Sequence, residues 1–86
     1  MTASPDVTAE RAERIKNIVC EILEIDLEEV TRTSLFKEDH DADSLRAIEI
    51  LAALERTFAI TIEQAELSRM VNLEGVEAVV GEAAAR

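Results

Sequence analysis

Tryptophan and tyrosine are missing from this chain, phenylalanine occurs only at 36 and 58, and there is one proline. With so few large aromatics, the core has to be built from Leu, Ile, Val and Ala, a palette that favours small packed helices. The lone cysteine, Cys20, excludes an internal disulfide and any multi-thiolate metal site. It reads as a small half-buried hydrophobe, because Lys16 is the only cation a helical turn away that would activate a thiol. No stretch approaches the roughly 18 uninterrupted apolar residues of a membrane span. The opening MTASPDV has neither a basic nor an apolar export segment, so the expected location is the cytoplasm, without membrane association. Basic residues are also scarce: nine against nineteen acids give a formal charge of −10. Such a field repels nucleic acid and anionic lipid and steers toward basic protein surfaces. In 86 residues there is room for one small domain but not for a catalytic cleft with a lid.

What is present is a helical pattern. Residues 1–7 read as a frayed arm and 8–86 as a single domain. From Thr8 to about residue 24, Ala12, Ile15, Ile18, Val19, Ile22 and Leu23 gather on one face of a helix. Between 25 and 43 no period holds, yet Ile25, Leu27, Val30, Leu35 and Phe36 recur, which predicts a long connection pinned to the core by its own anchors. A second helix is expected over 44–58, an extended linker over 59–62 and a short helical turn near 63–69. Asn72 reads as the N-cap of a last helix over 73–84, with Val76, Val79 and Val80 facing inward. The fold class is therefore all-α, a small four-helix bundle with a long first connection and a short third helix.

The helix over 44–58 carries more apolar residues than one buried face requires. Ala47, Ile50, Leu51, Leu54 and Phe58 account for a core stripe. Leu45, Ile48 and Ala52 form a second stripe, flanked by Glu49 and Glu55, and a small exposed apolar patch rimmed by charge marks a docking site. Coverage by the next helix would explain the same spacing. At the head of this helix both Asp43 and Ser44 qualify as N-caps. Capping alone would account for the serine.

Three other chemistries fit parts of this region. Asp39, Asp41 and Asp43 match the first three ligand positions of an EF-hand loop, but Ser44 stands where that loop needs Gly and Ile50 where it needs Glu. A hydrolase would pair Ser44 with His40, the only histidine, yet there is no Gly-x-Ser-x-Gly turn and no oxyanion loop. A small acidic adaptor could use the Leu45/Ile48/Ala52 stripe to fill a partner's groove with Ser44 unmodified.

Asp43-Ser44-Leu45 opening the second helix of an acidic chain of about this length, after a leading helix and a long loop, resembles the acyl carrier protein family. The resemblance covers residues of about 10 to 84. It implies the acyl-carrier fold and a non-enzymatic role: Ser44 would receive 4′-phosphopantetheine from coenzyme A, and the arm's thiol would carry acyl groups as thioesters. Asp43 would help position the transferase complex. Leu45, Arg46, Ile48, Glu49 and Ala52 would form the face that partner enzymes read, and Ile50, Leu51, Leu54 and Phe58 the core or the wall of an acyl pocket. Implied partners are a phosphopantetheinyl transferase and an acyltransferase, ketosynthase or other acyl-processing enzyme acting on a monomer. A peptidyl carrier of nonribosomal synthesis is the alternative within the same family. Three positions depart from the family's usual pattern: Asp41 where a glycine is common, Arg46 where fatty-acid carriers show an acid, and no proline after the second helix. Arg46 and Arg56 make the recognition helix less negative, which points to a discrete carrier of polyketide or other specialised metabolism.

Overall fold

The computed structural model describes residues 5–40 and 42–85, and every regular element among them is helical. Helix α1 spans Pro5–Leu23, α2 Phe36–His40, α3 Ser44–Phe58 and α4 Leu73–Ala84, with 3-10 segments at Leu27–Glu29 and Gln64–Arg69. The first helix starts three residues before the predicted Thr8. Proline at its first position explains this, since a fixed φ suits the opening turn and the missing N–H has no partner to lose there. Of the predicted arm, residues 1–4 lie outside the described residues.

Three helices supply the centre of the core. Ile15 and Val19 from α1, Ile50 and Leu54 from α3, and Val76 and Val80 from α4 are all essentially fully buried, each contributing about 1.5–3 kcal/mol by leaving water. Cys20 belongs to this layer and is more deeply buried than its sequence position implied. Burial, the dominant cause, pushes its thiol pKa up, Glu29 and Asp26 act in the same direction, and Lys16 opposes them.

The long connection is more structured than the sequence pattern indicates. Val30 and Phe36 are buried as anchors, Ile25 packs against the core from a half-buried position, and Leu27 and Leu35 remain exposed. The extra helix α2 arises because the Asp39 carboxylate accepts the Leu35 N–H at 2.8 Å, capping a turn too short to show a period. Two backbone bonds then stitch this connection to the head of α4: Phe36 N–H to the Val71 carbonyl at 2.9 Å and Glu74 N–H to the Arg32 carbonyl at 3.0 Å. Arg32 adds an ion pair to Glu77 at 2.7 Å.

Helices α1 and α3 close alike. Glu24 and Ala59 both take left-handed φ values, 59° and 54°, and in each case the following N–H reaches back five residues, Ile25 to Cys20 and Ile60 to Glu55. This is the turn glycine usually provides. Beyond Ala59 the chain runs without regular structure to Glu63, whose backbone is extended, with Ile62 buried and its N–H donated to the Glu55 carboxylate at 2.8 Å. The predicted short third helix is the 3-10 segment Gln64–Arg69, which Arg69 fastens to α4 through both carboxylate oxygens of Glu82 at 2.7 and 2.8 Å.

Candidate functional site

Both candidates for the cap of α3 are present, but only one performs it. Asp43 sits just outside the helix in extended backbone geometry, and its carboxylate accepts the Arg46 N–H at 3.0 Å. Ser44 is therefore the first helical residue, exposed, and no described residue hydrogen-bonds its hydroxyl. The other described serines are engaged. Ser34 Oγ lies 2.8 Å from the Thr31 hydroxyl, and Ser68 donates to the Ala65 carbonyl at 3.3 Å. Among the described residues, Ser44 is thus the serine whose hydroxyl the fold leaves unused.

Its surroundings suit a phosphodiester. The first N–H groups of a helix have no partner within it, and the dipole there favours negative charge. Asp43 takes one of these donors, at Arg46, while no described residue accepts from the N–H of Ser44 or Leu45. Ser44 also lies on the lining of a cleft of about 590 Å³. Buried Phe36, Ala42, Ile50 and Met70 supply apolar surface to this cleft, and the exposed Leu35 and Val71 lie along it. A long arm attached at Ser44 would meet water on one side and an apolar recess on the other.

The structure separates the residues the sequence grouped as core or pocket wall. Ile50 lines the cleft beside Ser44. Leu51 and Leu54 are buried in the core and line no part of it. Phe58 lies half-buried at the far end of α3, with the Arg14 guanidinium 5.5 Å from its ring centre. Further apolar lining comes from Phe36 on α2, Ala42, Ala47 on α3, and Leu67 and Met70 of the 3-10 region, with Lys37 and Glu38 at its polar side. Phe36 was visible as a loop anchor. Leu67 and Met70 carry only a three-residue spacing, too little to assign a face.

On the outer side of α3, Leu45 is 64 % and Ile48 41 % exposed, and Ala52 is half-buried. Among the described residues, no helix covers Leu45 or Ile48 of this stripe. Glu55, one of its predicted flanking acids, instead turns to the Ile62 N–H. Arg46 is also committed. Its guanidinium donates to the Ile22 carbonyl at 2.6 Å, satisfying one of the orphan carbonyls at the end of α1, and lies 3.6 Å from both Glu24 and Glu49. The sequence showed Arg46 as a positive charge that makes the recognition helix less negative; in the structure that charge also clasps α3 to α1. His40 ends α2 with its Nε2 buried and without a hydrogen-bond partner among the described residues. Asp41, where the family's pattern has glycine, lies outside the described residues.

A helical bundle that presents a serine bonded by no described residue at a helix head beside an apolar cleft has the arrangement of a carrier module, and among the described residues no helix is long and apolar enough to cross a membrane. Comparison with known proteins makes this specific. The family described as phosphopantetheine attachment site matches residues 13–80. The chain is 78 % identical over 76 residues to polyketide-8 synthase acyl carrier protein 1 of Streptomyces avermitilis, an alignment spanning 88 % of this chain and 90 % of that one. It is 36 % identical over 70 residues to an acyl carrier protein of Petrotoga mobilis, across 81 % and 82 % of the two chains. A chain in the solved structure described as the ishigamide ketosynthase/chain length factor superposes with a TM-score of 0.77 at 34 % identity, covering 96 % of this chain and 100 % of that one. The chain belongs to the acyl carrier protein family, non-catalytic carriers that hold 4′-phosphopantetheine covalently and pass acyl intermediates among acyl-processing enzymes.

Proposed function

We propose that Ser44 is the attachment point of 4′-phosphopantetheine and that residues 8–86 act as a discrete, monomeric, cytoplasmic carrier for a polyketide-type pathway. The observation that carries this is the division of labour at the head of α3: Asp43 caps the helix, and the adjacent hydroxyl is exposed and bonded by no described residue. In loading, Ser44 Oγ forms the new O–P bond as the pyrophosphate linkage of coenzyme A breaks and the adenosine bisphosphate portion leaves. The hydroxyl proton passes to a base of the phosphopantetheinyl transferase, the neighbouring Asp43 carboxylate being engaged by the Arg46 N–H. When attached, the arm supplies the thiol on which acyl groups ride as thioesters.

Asp43 keeps the first turn of α3 wound, so Ser44 meets the transferase on a rigid element. Leu45 and Ile48 offer the apolar surface against which a transferase, acyltransferase or ketosynthase docks. The cleft lined by Phe36, Ala42, Ile50 and Met70 shelters part of a cargo at about 0.8 kcal/mol per buried methylene, a strength that still permits release. The polyketide assignment is supported by the name of the Streptomyces avermitilis relative and by the arginines at 46 and 56.

The test is intact mass after incubation with coenzyme A, Mg²⁺ and a broad-specificity phosphopantetheinyl transferase. Wild type is expected to gain one phosphopantetheinyl group and Ser44→Ala none. No gain by wild type with several transferases would leave Ser44 unmodified and favour an adaptor acting through the Leu45/Ile48 stripe.

A further inference from the structure

Helix α3 stands apart electrostatically from the molecule that carries it. The chain has a net charge of −10, yet α3 holds two arginines, Arg46 and Arg56, against two glutamates, Glu49 and Glu55, and is neutral. Three carboxylates at the head of this helix are also already engaged. Asp43 accepts the Arg46 backbone N–H, and Glu24 and Glu49 share the Arg46 guanidinium, which the Ile22 carbonyl holds in place at 2.6 Å. A partner's cation arriving at this face would have to compete with one tethered within the same molecule.

We infer that Arg46 is a specificity-determining residue, an internal counter-ion that selects acyl-processing enzymes whose docking surface is apolar and weakly charged and disfavours those whose docking surface is rich in arginine and lysine. The inference rests on the proposed carrier role of Ser44. The overall negative field still steers basic partners from a distance. At contact, where charge complementarity discriminates among partners, α3 offers a hydrophobic ridge beside a satisfied ion cluster. The 3.6 Å separations in that cluster and the exposure of Glu24 and Glu49 mean that removing the guanidinium charge would free both carboxylates for a partner without unpacking any core residue.

The experiment uses the loaded protein and a ketosynthase of fatty-acid synthesis chosen for an arginine- and lysine-rich docking surface. Dissociation constants are measured for wild type, Arg46→Gln and Arg46→Glu at about 50 mM and about 300 mM salt, conditions between which exposed pairs are progressively screened. Gln keeps an N–H donor for the Ile22 carbonyl while removing the charge. Arg46→Gln is expected to bind this basic probe about three-fold more tightly than wild type at low salt and Arg46→Glu about ten-fold, with both gains shrinking to less than two-fold at high salt. Equal affinities and equal salt dependence for wild type and Arg46→Gln would overturn the inference and leave Arg46 as a clasp only. If Arg46→Glu does not fold, the comparison of wild type with Arg46→Gln decides the matter by itself. Failure of the wild type to load in the first place would instead overturn the attachment role of Ser44.

Discussion

The heads of α3 and α4 are built on one local device and put to opposite uses. At α3, Asp43 accepts the N–H three residues on, at Arg46, at 3.0 Å; at α4, Asn72 accepts that of Gly75 at 2.8 Å. After the cap the two sequences diverge. Leu73 and Val76 go straight into the core, and Gly75 lies so close to the Arg69 carbonyl oxygen that a Cβ there would collide with it. Ser44, Leu45 and Ile48 face outward instead. Capping stabilises a helix wherever it occurs, so the cap cannot reveal function. What distinguishes α3 is the set of groups the fold leaves unused after the cap is made.

Substitutions at matched positions can break this comparison. The largest effect is expected from Ser44→Ala, which should abolish loading as read by intact mass while thermal unfolding shifts by less than about 0.5 kcal/mol, the usual range for a surface change. At α4 the contrast should invert. Gly75→Ala should cost about 2 kcal/mol in urea unfolding, because the Arg69 backbone must move to admit a methyl group, and the folded fraction should still be loaded. Asp43→Ala and Asn72→Ala should each cost about 1 kcal/mol of stability, the ordinary value of a lost cap. Only Asp43→Ala should also raise the transferase KM, since it loosens the turn that presents Ser44. Smaller still, Ala59→Gly should stabilise by about 0.5 kcal/mol, relief of the left-handed strain at the end of α3 outweighing the extra freedom gained by the unfolded chain.

Burial at Cys20 gives a further contrast with the presenting face. Its thiol is raised from 9.0, chiefly by desolvation, so the unfolded chain releases this proton first. The stability tied to it is complete below the unfolded pKa and is lost as pH rises through the folded value. Wild-type stability should therefore fall above about pH 9, and more steeply than that of Cys20→Ala. In the native protein, a thiol reagent should modify Cys20 only as fast as the core opens.

Elements with a sustained period were legible in the sequence. The helix over 44–58 and the last helix with its Asn72 cap stand where the apolar spacing puts them, because each buries a stripe long enough to define a face. Helix α2 was not legible, since five residues display barely more than one turn and depend on the Asp39 carboxylate, a local bond that competes equally well in a loop. The motif at Ser44 was readable as chemistry only through its resemblance to a family. Asp-Ser at a helix start has two equivalent cap readings, and the choice between them depends on where the chain emerges from residue 42. Arg46 was visible as a charge but not as a bond, because its partner, the Ile22 carbonyl, is 24 residues away and belongs to the end of another helix.

The measurement closest to the central claim is localisation of the attached group by tandem mass spectrometry of peptides from the loaded protein. Among the described serines, the hydroxyls of Ser34 and Ser68 are spent on internal bonds and that of Ser44 is not, which predicts the phosphopantetheinyl mass on Ser44 and on neither of the other two. The same mass on Ser34 or Ser68, or retained by Ser44→Ala, would contradict it.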